Sequence, residues 1–227
     1  MIQTYIEQIK TLYGVEQGEA LGFSALELKN LENRLNVQIP AILRSYYLAL
    51  GKDEVINQAF NHLAPLAEVC VSDDGFFVFY TENQGAGCWG IKKSQLTEEN
   101  PPVYVNYDLA GSSSEWLLDS QHLDGFLLNA AIINAVLGGA AFNANSFHIA
   151  PKGFMAEIEA NWQELKDLTE HKQRIFTRDF NDILLLCINP EDQVEGVFMG
   201  SNDSESFEQL LESLDLNWDY ISEDDEE

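Results

Sequence analysis

The stretch Gly75–Ile91, GFFVFYTENQGAGCWGI, constrains this chain more than any other. Asp73-Asp74-Gly75 is a turn signal, and Phe76 to Tyr80 is an aromatic and β-branched run that suits a packed, pleated surface. A polar reversal follows at Glu82-Asn83-Gln84-Gly85-Ala86-Gly87, and the chain returns through Cys88-Trp89-Gly90-Ile91. The pattern predicts two antiparallel strands at the centre of a sheet. The first strand is apolar on both faces, so something must cover both, at least in part, and helices before and after it are the obvious covers.

Those helices are legible on either side. Ile2, Tyr5, Ile6, Ile9 and Leu12 recur at helical spacing before Gly14. Ser24-x-x-Glu27 is a capping box opening a helix with Leu28, Leu31 and Leu35 on one face. Val37 to Pro40 is an extended link, because the residue before proline is pushed out of the helical region. Pro40 suits the first turn of a helix carrying Ile42, Leu43, Tyr46, Tyr47 and Leu50, which stops at Gly51. Residues 53–62 fit helix or loop equally well. Short strands are expected at Leu66–Val71, Val103–Tyr107 and Glu115–Leu118, with a loop or one helical turn at Ser94–Asn100 and a turn at Gly111–Ser114. Asp119 or Ser120 caps an apolar helix to Leu137, followed by a loop.

A second section starts near Phe147. Met155, Ile158, Trp162 and Leu165 predict a helix over Gly153–Leu168. Strands follow at Arg174–Phe180, Ile183–Ile188 and Val194–Met199, then a helix near Glu205–Leu214. The expected fold is α+β: a central, mostly antiparallel twisted sheet covered by helices over 1–146, a strand-strand-strand-helix extension over 147–222, and an acidic tail at 223–227. A strand, a cap and a helix with Phe and paired Leu occur at Trp116–Leu128 and again at Phe198–Leu211. The extension is therefore read either as packed on the first domain or as a diverged second unit, the echo carrying little weight because that order is common.

Charge narrows the function. The net charge is -26, which argues against nucleic acid as a partner, since a phosphate backbone is met by Lys and Arg. After Arg178 there is no Lys or Arg, while Asp and Glu recur to the terminus. Such a surface suits a basic protein partner and a steered encounter. Cys70, Cys88 and Cys187 sit among apolar neighbours and read as buried free thiols in a reducing, cytoplasmic compartment. The N-terminus has no signal-peptide pattern. No charge occurs between Asp124 and Lys152, but four asparagines and Gly138-Gly139 interrupt that segment, so no membrane span is expected.

Catalytic signals are poor. His62, His122, His148 and His171 lie far apart, with no Cys or His at metal-ligand spacing. Asp73-Asp74 lacks the alternation of a calcium loop, and the hairpin glycines lack a phosphate-binding pattern. No metal or cofactor is therefore expected. Cys88 with a histidine would make a thiol nucleophile, but a small buried side chain is the simpler reading. Trp89 and Trp116 read as core aromatics, or as interface anchors if exposed.

The order of the pieces resembles the SUKH superfamily, the Smi/Knr-like proteins. Leu31–Leu50, LENRLNVQIPAILRSYYLAL, resembles that family's helix, link, Ile-Pro pair and aromatic-bearing helix. Tyr80–Gly90 resembles its hairpin, and Pro101–Val105 with Trp116 and Phe126-Leu127 its downstream order. The resemblance covers roughly Ser24–Leu137 and implies an α+β domain without an active site. Many bacterial members resemble immunity proteins that neutralise a cognate toxin, often a basic nuclease; others resemble regulatory adaptors. On the immunity reading, partner-binding residues are expected at Asp73, Asp74, Glu82, Asn83, Gln84 and Trp89, and on a helix face with Glu205, Glu208 and Glu212. An adaptor of the same family is the alternative, and a thiol hydrolase built on Cys88 a third. The residues do not fix an oligomeric state.

Overall fold

A computed structural model describes residues 2–16, 18–107, 115–168 and 173–222. The expected turn at 111–114, His171 and the acidic tail at 223–227 lie outside the described residues. The fold is α+β, with N-terminal helices followed by strands in two antiparallel sheets. The chain divides into two units, Met1–Ile6 with Gly18–Ala130 and Glu7–Gln17 with Ala131–Glu227.

The first unit begins with part of helix α1 (Ile2–Leu12), then α2 (Ala25–Leu35), α3 (Ala41–Leu50) and α4 (Glu54–Gln58). The capping box forms as expected. Ser24 Oγ accepts from Glu27 N at 3.2 Å, and Glu27 Oε2 accepts from Ser24 N at 2.7 Å. Two orphan amides are thereby satisfied. Pro40 occupies the N-cap of α3, and Ile42, Leu43, Tyr46, Tyr47 and Leu50 are buried. Asp53 caps α4 by accepting from Ile56 N at 2.8 Å, which resolves the ambiguous 53–62 stretch.

Strands β1 (His62–Leu63), β2 (Cys70–Val71), β3 (Phe76–Thr81), β4 (Cys88–Lys92), β5 (Val103–Asn106) and β6 (Leu117–Ser120) form the first sheet. Its order is β1-β3-β4-β5-β6, with β2 also on β3, so the hairpin is central as expected. The strand expected at Leu66–Val71 shrinks to β2. Arg34 donates to the carbonyls of Leu66 at 2.7 Å and Val69 at 2.8 Å, holding that stretch as a turn. Trp116 precedes β6 rather than lying in it. Helix α5 (Leu123–Asn134) follows, and the division between the units falls within it.

The second unit holds β7 (Phe142–Ser146), α6 (Phe154–Asn161), β8 (Gln163–Glu164), β9 (Gln173–Arg178), β10 (Asp182–Ile188), β11 (Val194–Ser201), α7 (Ser204–Ser213) and β12 (Tyr220–Ile221). The sheet order is β12-β7-β11-β10-β9-β8. The three expected strands lie in the middle of a second six-stranded sheet. Residues expected to loop before 147 are strand β7, so a boundary at 146 falls after a strand of this sheet. The helix expected over Gly153–Leu168 stops at Asn161. Trp162 turns extended, and Gln163 and Glu164 pair with Thr177 and Phe176. Strand pairing at a sheet edge overrides the helical spacing of Trp162 and Leu165. One core holds Phe154, Ile158, Phe176, Leu184, Val197, Met199, Phe207 and Leu210. Among the described residues no helix is long and apolar enough to cross a membrane.

Candidate functional site

The sequence-predicted surface residues fall in three places. Glu82, Asn83 and Gln84 form the β3–β4 turn. Glu82 N donates to Gly87 O at 2.9 Å, and the Glu82 carboxylate accepts from Gln84 N at 2.8 Å and Ala86 N at 3.0 Å. The turn's own amides thus occupy this carboxylate, as an anion fits a concave run of N–H groups. Asn83 N donates to Asn61 Oδ1 at 3.2 Å, while Gln84 is exposed.

Trp89 is not an interface anchor. It is 9% exposed, with ring centroids 5.5 Å from Tyr80, 6.2 Å from Phe126 and 6.5 Å from Tyr107. The strand pleat and the β3 bulge between Val78 and Tyr80 turn it into the aromatic core.

Asp73 and Asp74 lie at the other end of β3. Six residues of strand, at about 3.3 Å each, separate them from Glu82 by about 20 Å. The two sets therefore do not make one patch. Asp74 accepts from the Ser72 hydroxyl and, at 2.6 Å, from Trp116 Nε1. These bonds, the Ser72 one foremost, hold its carboxyl below the usual range. Trp116 stacks on Phe76 with centroids 4.0 Å apart and planes 9° apart, so its indole is fixed from both sides.

Glu205, Glu208 and Glu212 lie on α7, whose Phe207 and Leu210 face the core. All three are exposed. Asp203 caps the helix by accepting from Ser206 N at 2.7 Å. The spacing of three and seven residues puts the glutamates on the solvent side, where Glu205 Oε1 accepts from Gln209 Nε2 at 3.4 Å. Behind them Asp182 is 4% exposed and accepts from Ser201 Oγ at 2.7 Å and Ser206 Oγ at 2.9 Å. A polar groove of about 550 Å³ runs past Arg178, Asp179, Asn202 and Asp203. Asp182 on its lining is already satisfied by the two serines, so this corner is structural.

The thiols do not share one environment. Cys70 is exposed, contrary to expectation, because β2 is a two-residue edge strand. Cys187 is half-buried. Cys88 is buried, and desolvation, with smaller contributions from Cys70 and Asp74, pushes its pKa up to about 11. Little thiolate exists there at neutral pH, which weighs against a nucleophile. Among the described residues no group of three or more His, Cys, Asp or Glu is placed to hold a metal. His148 lies on the rim, with Nε2 3.3 Å from Asp219 Oδ1.

Sequence reasoning passed over the exposed apolar side chains of the second unit, Phe147, Ile149 and Tyr220. Their signal was Phe147 and Ile149 flanking a single histidine, at the end of a long segment without charged residues. No family model, no curated protein and no solved structure matches this chain.

Proposed function

We propose that this protein is a non-catalytic binding protein that neutralises a cationic protein partner, in the manner of an intracellular bacterial immunity protein of the SUKH superfamily. The observation that carries this reading is the cation-free stretch after Arg178, which presents Glu205, Glu208 and Glu212 to solvent from one helix. A nuclease-type toxin must be basic to hold its substrate, and such a surface steers toward it and masks it. The motif order from Ser24 to Leu137 supports the superfamily, and the high-pKa Cys88 weighs against a thiol hydrolase.

The test is co-expression with a toxin encoded by a neighbouring gene, followed by calorimetry of the purified pair at two salt concentrations. Growth rescue and binding that weakens as salt rises support the reading. Absence of rescue, or capture of housekeeping enzymes in place of a toxin, selects the adaptor alternative.

A further inference from the structure

The second sheet has an end that its own helices leave open. Cross-strand pairing places Tyr220 beside Asn145, Asn145 beside Phe198, Phe198 beside Leu185, and Leu185 beside Ile175. Directly paired residues share a face, so this is one row across the sheet. Its inner members Leu185 and Ile175 are buried, while Tyr220 is 37% exposed. In the next row Gly196 pairs with Cys187, and Phe147 continues β7 past the Ser146–Val197 pair. Phe147 is 64% exposed and meets Phe198 edge-on, with centroids 5.5 Å apart.

Gly196 makes the floor of a shallow notch between these rings and Cys187. A Cβ added there would lie 3.3 Å from Cys187 Cβ and 3.6 Å from Phe198 Cε2. Ile149, 61% exposed, continues the apolar strip to a cleft of about 370 Å³ beside Pro151, Phe154 and Val194.

The rim is acidic. Asp219 accepts from Phe147 N at 2.6 Å and pairs with His148. Glu191, Asp192 and Glu195 are exposed around the β10–β11 turn. Lys152 is the one cation lining the cleft, and Arg174 is held by Glu159 and Glu164, each at 2.7 Å. Apolar side chains this exposed, beside a rim where Glu191, Asp192, Glu195 and Asp219 outnumber Lys152, fit a partner that brings both an anchor and positive charge. A second copy of this chain would bring a further -26 charges and repel.

We propose that this aromatic, acid-rimmed end of the second sheet docks a cationic protein segment that carries an apolar anchor side chain. The inference rests on the cationic-partner reading above and adds where and how contact is made. Phe147 and Phe198 wall the Gly196 floor that receives the anchor, Tyr220 extends the apolar surface on the other side of Phe147, and Glu191, Asp192 and Glu195 are the rim that receives Lys or Arg.

The test uses two labelled eight-residue probes with the full chain at low salt, read by fluorescence anisotropy. One is Lys-Lys-Leu-Trp-Lys-Leu-Lys-Lys; the other has Ser in place of Leu and Trp. The anchored probe should bind about tenfold more tightly. Phe147→Ser and Tyr220→Ser should erase that preference while leaving the serine probe's affinity unchanged. Gly196→Val, which fills the notch without removing an aromatic ring, should do the same. Melting curves establish that each variant is folded, and amide shifts at Phe147, Gly196 and Tyr220 should move only with the anchored probe. Equal affinity for the two probes, or a preference that survives all three substitutions, overturns the docking surface alone. Failure of both probes to bind overturns it together with the cationic-partner reading.

Discussion

Two sets of carboxylates stand in contrast. In the first unit, Glu82 closes its own turn on two backbone amides, and Asp74 holds a serine hydroxyl and the Trp116 indole. In the second, Glu205, Glu208 and Glu212 project from α7 into solvent. By sequence both sets are acidic residues on polar stretches. By structure the first set is bonded to fixed donors of its own fold, and the second is exposed, with only Gln209 of the same helix reaching Glu205. An anion bonded to fixed donors offers a partner less, because those bonds must be broken or shared before it is met.

The sharpest way to break this contrast is to neutralise one member of each kind. Asp182→Ala leaves the Ser201 and Ser206 hydroxyls without their acceptor in a buried corner, and should lower unfolding free energy by about 3 kcal/mol in urea titration. Glu208→Ala should stay within about 0.5 kcal/mol. Equal losses would end the distinction. Next in size, Trp116→Ala should cost about 2 kcal/mol by removing the Phe76 stack and the Asp74 bond. Trp116→Phe keeps the stack and should cost about half as much. Thermal melts of the pair separate the two contributions. Smaller again, Glu82→Ala should cost about 1 kcal/mol by freeing two turn amides that water reaches in part.

Acid titration sharpens the comparison at its low end. Glu27 is held by the Ser24 amide first, then by the Ser24 hydroxyl and Lys52, which lower its pKa from 4.5 to about 2. The folded form therefore binds this proton less readily than the unfolded chain. Its stabilising contribution is complete above about pH 4.5 and is lost as pH falls toward about 2. Carbon-13 titration of the Glu27 side chain should show a midpoint near 2, and Lys52→Ala should raise it. A midpoint at the ordinary value would place Glu27 with the free carboxylates.

Much of the fold was legible because its signals are local. Ser24 and Glu27 close a cap three residues apart, and Ile42, Leu43, Tyr46, Tyr47 and Leu50 report one helix face. The β3–β4 hairpin shows in its aromatic run and glycine turn. Strand β7 did not show, because Phe142-Asn143-Ala144-Asn145-Ser146 is rich in a residue that strands disfavour. Pairing with β11 on one side and β12 on the other makes it a strand. Trp162 was misread for the same reason, since the β8–β9 pairing that ends its helix involves residues more than ten positions away. Of the candidate surface, the α7 glutamates were readable from helical spacing. The fate of Glu82 was not, although its turn was located.

By itself, then, the chain's order of residues determined the helices and their caps, the central hairpin, and a net charge of -26. Only the tertiary structure decided which carboxylates are tied to distant donors and which aromatic rings face water. The reason is the reach of the bonds involved. Asp74 meets Trp116 across 42 positions and Asp219 meets Phe147 across 72, and periodicity within a short window carries no information over such separations.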